Sequence, residues 1–170
     1  MHQAMPRTLR NVSFALVVGL CGAMPAAAAT VPFNGTLTIS ETVIPAQYVP
    51  QVPANCDFVG IISGTGVIAP LGPVTMSSTD CIEDQMDGTF KFTPLGPVQF
   101  TTANGDKVFA TYEGTFSLLP GNALVGTYTI VGGTGRFANA GGGGALQGFE
   151  ILDGAGHGTG QIQLNGKLSF

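Results

Sequence analysis

The chain has 170 residues, a formal net charge of −4, 26 glycines and only 9% charged residues. Nucleic acids and anionic membranes are bound by basic surfaces, so this acidic composition argues against both as partners. Many disordered chains are rich in charged residues, whereas this chain has few charges and abundant glycine. They favour a turn-rich sheet protein.

The first 29 residues have the three-part pattern of a secretory signal peptide. Arg7 and Arg10 give a basic start, residues 14–20 are apolar, and residues 26–29 are all alanine. The apolar run is shorter than the roughly 20 residues that a membrane-spanning helix needs. We therefore predict cleavage after Ala29, no membrane span, and a secreted protein that is periplasmic or extracellular. Cys21 raises a lipoprotein as the alternative, but Leu20 stands before it where a small residue is expected.

Residues 30–170 are predicted to form one domain with a formal charge of −6. Two cysteines remain in it, Cys56 and Cys81. In an exported chain such a pair predicts a disulfide, which would stabilise the fold by about 3 kcal/mol. No further cysteine or histidine is close enough in sequence to suggest a metal-ligand set, so we expect no metal.

Apolar and polar residues alternate along several segments, which is the period of a β-strand with one buried face. Turn signals separate these segments, as at Asn104-Gly105 and Asp153-Gly154. Half-buried strands with short connections imply an antiparallel sheet. About eight strands are counted, so we predict an all-β fold, an eight-stranded antiparallel up-and-down barrel, with a β-sandwich as the alternative. The alternation is clearest in residues 36–40, 89–93, 107–116 and 161–170.

Two irregular features interrupt this pattern. The sequence Pro-Leu-Gly-Pro-Val occurs at residues 70–74 and again at 94–98, and we interpret both copies as hairpin punctuation. Residues 45–54 contain three prolines, and we predict that they form a loop across one mouth of the barrel.

Residues 132–140 read Gly-Gly-Thr-Gly-Arg-Phe-Ala-Asn-Ala, with Gly132, Gly133, Gly135, Phe137 and Ala140 at the fixed positions. This segment resembles the signature of dirigent proteins and allene oxide cyclase barrels. It also resembles that of small secreted bacterial members of the same superfamily, whose function is unassigned. The resemblance implies an eight-stranded barrel with an apolar cavity, often assembled as a homotrimer. It transfers no active site, because Gly141 stands where dirigent proteins carry an arginine.

Several residues are candidates for the site. Glu113 and Arg136 are the candidate catalytic residues, although alternation places Glu113 on the outer face. His157 is interpreted as a solvated loop residue, and the acids around Cys81 (Asp80, Glu83, Asp84 and Asp87) as a solvated loop held by the disulfide. The candidate lining of a ligand cavity is aromatic: Phe90, Phe92, Phe100, Tyr112, Phe116 and Tyr128.

No cofactor is expected. Gly133, Gly135 and Ala138 have the spacing of a dinucleotide site, but the glycines that follow cannot sustain the required helix. The sequence therefore favours a non-catalytic binding or structural module that holds a small apolar ligand. The alternative is a dirigent-like or cyclase-like enzyme that orients such a molecule in the barrel.

Overall fold

The computed structural model describes residues 29–119 and 121–170. Residues 1–28 of the predicted leader, including Cys21, lie outside the described residues. Two short 3₁₀ turns, Ala46–Tyr48 and Gly135–Phe137, accompany the strands. The strands are β1 Thr30–Pro45, β2 Phe58–Ala69, β3 Gly72–Asp84, β4 Thr89–Pro94, β5 Val98–Thr102, β6 Lys107–Ser117, β7 Ala123–Gly133, β8 Gly141–Leu152 and β9 His157–Ser169.

The strands form one closed antiparallel barrel. Each strand except β4 pairs with the next along the chain, and β9 returns to pair with β1, from Thr30 opposite Ser169 to Thr42 opposite His157. Both β4 and β5 lie between β3 and β6, so they share one of eight positions around the barrel. The predicted eight-stranded all-β barrel is confirmed, and the alternative sandwich is excluded because the sheet closes on itself.

The two copies of the Pro-Leu-Gly-Pro-Val segment have different roles. The first lies at the tight connection between β2 and β3, where Gly72 has a φ of +80°, a value that favours glycine. The second separates β4 from β5, which run in the same direction along β3. The prediction of a hairpin at this second copy is wrong, because the two prolines interrupt a single strand position instead of reversing the chain.

Side chains alternate between the barrel interior and its outer wall, as the period of two predicted. The interior is packed most tightly at the end where β1 begins and β9 finishes, which we call the closed end. There the turn Gly135–Phe137 carries Phe137 into the core, where it is fully buried. The ring of Phe170 packs on Phe137 with 5.1 Å between the ring centroids. The signature segment thus closes one end of the barrel.

The predicted disulfide between Cys56 and Cys81 is present. Its neighbours are Ala46 and Val59, and the four residues form a small cluster separate from the main core. Phe58 and Ile62 on the same strand line the interior, so Val59 points outward. The prediction that residues 45–54 cross a barrel mouth is therefore wrong: the disulfide and this cluster hold the loop against the outer wall of β2 and β3.

No helix within residues 29–119 and 121–170 is long and apolar enough to cross a membrane.

Candidate functional site: an acid-lined cavity in the barrel

A cavity of about 270 Å³ fills the half of the barrel opposite the closed end. It begins near Tyr128 in the middle of the barrel and reaches the end formed by Val43, Leu152 and Gly154, which we call the open end. Most of the lining is aliphatic or aromatic, contributed by every strand position of the barrel. An apolar lining with a few polar groups is typical of a small-molecule site, and the volume lies close to the lower limit of about 300 Å³ for such sites.

Three carboxyl groups enter this cavity. Glu41 on β1, Asp80 on β3 and Glu150 on β8 are 6%, 3% and 5% exposed, and all three line the cavity. We call them the acidic arc. Acids are almost never buried so completely unless they are paired with a cation or coordinate a metal.

Two glycines make room for the arc. A Cβ atom at Gly60 on β2 would lie 1.9 Å from Oε1 of Glu41, and one at Gly158 on β9 would lie 2.0 Å from Oε1 of Glu150. Acid and glycine therefore alternate across five neighbouring strands, in the order β8, β9, β1, β2 and β3. The space for the Glu41 and Glu150 carboxyls is created by the missing side chain on the strand beside each of them.

Asp80 is the hydrogen-bonded member of the arc. Its Oδ1 accepts a hydrogen bond from the Tyr112 hydroxyl and another from Ser78 Oγ at 3.2 Å. Burial nevertheless raises the pKa of Asp80 to about 7, although the two hydrogen bonds act in the opposite direction. Burial also raises the pKa of Tyr112, and the neighbouring Asp80 carboxylate raises it further. Asp80 can therefore exchange a proton near neutral pH.

Glu41 and Glu150 form the second part of the arc. Burial, hydrogen bonding to Glu150 and repulsion from Glu150 and Asp80 raise the pKa of Glu41 to about 9. Burial likewise raises the pKa of Glu150, and the proton held by Glu41 opposes that rise. Glu41 is consequently protonated at neutral pH. Oε1 of Glu150 is buried and has no hydrogen-bond partner among the described residues.

The arc has no cationic partner in the cavity. None of the residues found to line the cavity is Lys, Arg or His. Nor do the described residues contain a group of three His, Cys, Asp or Glu side chains placed to hold a metal ion. The carboxyls therefore lack both of the usual compensations for burial, which is why their pKa values are displaced upward.

The six aromatic residues predicted to line a ligand cavity all border this cavity. Rings on neighbouring strands pack together, such as Phe92 on β4 with Tyr112 on β6 at 5.9 Å between ring centroids. That these residues bind a ligand stays a prediction. The six are Phe90, Phe92, Phe100, Tyr112, Phe116 and Tyr128.

The other candidates lie outside the cavity. Glu113 is exposed on the outer face of β6, as its alternation predicted. Arg136 is exposed at the closed end, with its guanidinium carbon 4.6 Å from the centre of the Phe137 ring. His157 is exposed at the start of β9, with Nδ1 3.5 Å from the Thr42 hydroxyl. None of the three contributes to the cavity lining.

The acids around Cys81 divide into two groups. Asp87 is fully exposed in the turn after β3, as expected of a solvated loop. Asp80, Glu83 and Asp84 are different, because all three lie within β3, so their assignment to a solvated loop is wrong. Glu83 and Asp84 are half-buried at the end of the strand, and Asp80 points into the barrel. Since Cys81 faces the outer wall, the residue before it must face inward.

With the geometry in place, the molecule can be classed as a closed eight-stranded barrel with one packed end and one acid-lined cavity. No family model and no curated protein matches the sequence. Among solved structures, the barrel resembles the pterocarpan synthase dirigent protein GePTS1, with a TM-score of 0.54 and 11% identity over 87% of this chain and 89% of that chain. It is also similar to the pterocarpan synthase dirigent protein PsPTS1, with a TM-score of 0.49 and 9% identity over 84% and 96%. The fold is dirigent-like.

Proposed function

We propose that this protein is a secreted, non-catalytic binding module that holds a small, largely apolar molecule in its barrel cavity. The observation that carries the proposal is the cavity itself, which combines an apolar lining with the acidic arc. A barrel selected only for stability would fill this space with apolar side chains, because buried uncompensated carboxyls destabilise the fold.

Secretion is supported by two independent features. The first 29 residues have the signal-peptide pattern, and the Cys56–Cys81 disulfide is of the kind that persists in oxidising compartments. A bound ligand would then be captured outside the cytoplasm. Assembly into a homotrimer remains part of the proposal on the strength of the sequence resemblance alone.

An enzymatic function is the second candidate, and one observation favours it. Asp80, with its pKa near 7 and its hydrogen bonds to Tyr112 and Ser78, has the properties of a proton-transfer group at the wall of a cavity. The pterocarpan synthases show that the fold can be associated with a synthase, but at 11% identity they transfer no residue roles to this chain.

The test is native mass spectrometry of the protein purified from its own host, combined with a variant that blocks the cavity. Ile162→Phe adds volume inside the cavity, whereas the matched control Val125→Phe adds it to the exposed outer wall. We expect a small molecule to accompany the wild-type protein and the control but not Ile162→Phe. An empty cavity in all three would contradict the proposal.

The same samples distinguish binding from catalysis. A recovered molecule that stays chemically unchanged on incubation with fresh protein supports a binding module. Conversion that is lost in Asp80→Asn but retained in Glu113→Gln would instead establish the enzymatic candidate and overturn the first.

A further inference from the structure

The cavity lacks a hydrogen-bond donor at one specific point. Oε1 of Glu150 is buried without a partner, while Glu150 itself is 95% removed from solvent. The donors nearby are already engaged, because Tyr112 and Ser78 both donate to Asp80. An orphaned acceptor of this kind costs free energy in the empty protein, and a ligand that donates to it recovers that cost.

The charge of the cavity lining indicates which hydrogen-bond donor the ligand carries. Three carboxyls line the cavity, and the lining holds no Lys, Arg or His to balance the charge on those that are ionised at neutral pH. An anionic ligand would add repulsion, and a neutral hydroxyl would supply one hydrogen and no charge. An ammonium group supplies three hydrogen-bond donors and a positive charge in a compact volume. It therefore provides both the missing donor to Oε1 of Glu150 and the missing positive charge.

The rest of the cavity lining indicates the chemical character of the remainder of the ligand. Beyond the arc the lining is hydrocarbon, with Leu37, Phe100 and Leu164 among its inner residues. From this geometry we infer that the ligand is a small amphiphilic amine, whose ammonium group binds at the acidic arc and whose apolar body extends toward the closed end. The inference rests on the proposed binding function and names the chemical class that it serves.

Three probes of equal chain length separate the possibilities. Isothermal titration calorimetry at pH 7 would compare octylamine, octanol and octanoate on the purified protein with its disulfide intact. We expect octylamine to bind at least about tenfold more tightly than octanol, since a hydrogen bond to a charged group is worth more than tenfold in affinity. Octanoate should bind more weakly than octanol.

Variants then locate the ammonium group. Glu150→Gln keeps the side-chain volume and should weaken octylamine binding at least about tenfold, while octanol binding changes by less than about twofold. Octanol binding also reports that the variant has folded. Glu113→Gln, an exposed acid on the outer wall, is the matched control and should change neither.

Each outcome has a distinct meaning. Equal binding of octylamine and octanol, or a preference for octanoate, would overturn the amine inference while the binding function stands. A preference for octylamine that survives both Glu150→Gln and Glu41→Gln would place the ammonium group elsewhere and overturn its assignment to the arc. If none of the probes binds and the native protein is empty, the proposed function itself fails.

Discussion

The two ends of the barrel are built from the same strands but are filled in opposite ways. At the closed end, Phe137 is fully buried and Phe170 packs against it, so the inward positions hold interlocking apolar groups. At the open end, the inward positions hold the acidic arc around a cavity. Packed apolar groups stabilise a fold, whereas uncompensated buried acids weaken it. Stability is therefore concentrated at one end of the molecule and reactive groups at the other.

This contrast gives a criterion for separating function from folding in a small barrel. Substitutions at the closed end should change the free energy of unfolding without altering its pH dependence. Substitutions in the acidic arc should change that pH dependence, because the groups they remove change charge over the ordinary pH range. The following experiments test that separation.

The largest effect is expected from Phe137→Ala. Removing a fully buried aromatic ring leaves a cavity at the closed end, so the free energy of unfolding should fall by about 3–5 kcal/mol. Urea denaturation measures it. Val125→Ala on the exposed outer wall is the control and should cost less than about 0.5 kcal/mol. A loss below about 1 kcal/mol for Phe137→Ala would show that the closed end is not where the stability lies.

An effect of comparable size is expected from pH. Glu41 and Asp80 keep their protons in the folded state up to pKa values of about 9 and about 7, whereas their unfolded pKa values lie near 4. Above pH 4 the unfolded state therefore binds fewer protons, and stability must decline as pH rises through both folded pKa values. The free energy of unfolding should be at least about 2 kcal/mol lower at pH 9 than at pH 5.

Two variants assign this slope to the arc. Glu41→Gln should flatten the profile between pH 7 and 9 and raise stability at pH 9, because it removes an acid that must ionise while buried. Glu113→Gln should retain the wild-type profile, since Glu113 is exposed. A wild-type slope in Glu41→Gln would refute the assignment.

The smallest effect is expected from Tyr112→Phe. The variant removes a hydroxyl that donates to Asp80 and so opposes the rise in its pKa. The pKa of Asp80 should move above about 7, as measured by carboxyl carbon NMR, with a stability loss of about 1 kcal/mol. Tyr128→Phe is the matched control, because that hydroxyl donates to the backbone carbonyl of Phe33 at 3.2 Å and not to Asp80.

Much of the fold could be predicted because a strand with one buried face shows its period directly in the sequence. The segments at 89–93, 107–116 and 161–170 all alternate as predicted, and the six aromatic residues all face the cavity. The interrupted position of β4 and β5 could not be predicted in the same way. Two prolines with a glycine between them are compatible both with a hairpin and with an interruption in a strand that continues in the same direction. The two cases are distinguished only by the fact that β4 and β5 both pair with β3.

The acidic arc was missed although the signal is present. Glu41 follows Leu37 and Ile39 at intervals of two, and Glu150 follows Leu146 by four, so both acids occupy the apolar register of their strands. Comparing each acid with the alternation of apolar and polar residues in its own strand would have placed both Glu41 and Glu150 on the inner face. Asp80 was missed for another reason, because the acids around Cys81 suggested a surface loop. Its side chain points inward because the neighbouring Cys81 forms its disulfide on the outer wall.

The pairing of β1 with β9 also governs when the barrel can form. Thirteen residue pairs join the two strands, and they bring residues 30–42 against residues 157–169. A chain still being synthesised lacks those last residues, so it cannot complete the ring. Closure is thus the final step by topology, and the barrel stays open until β9 has been made.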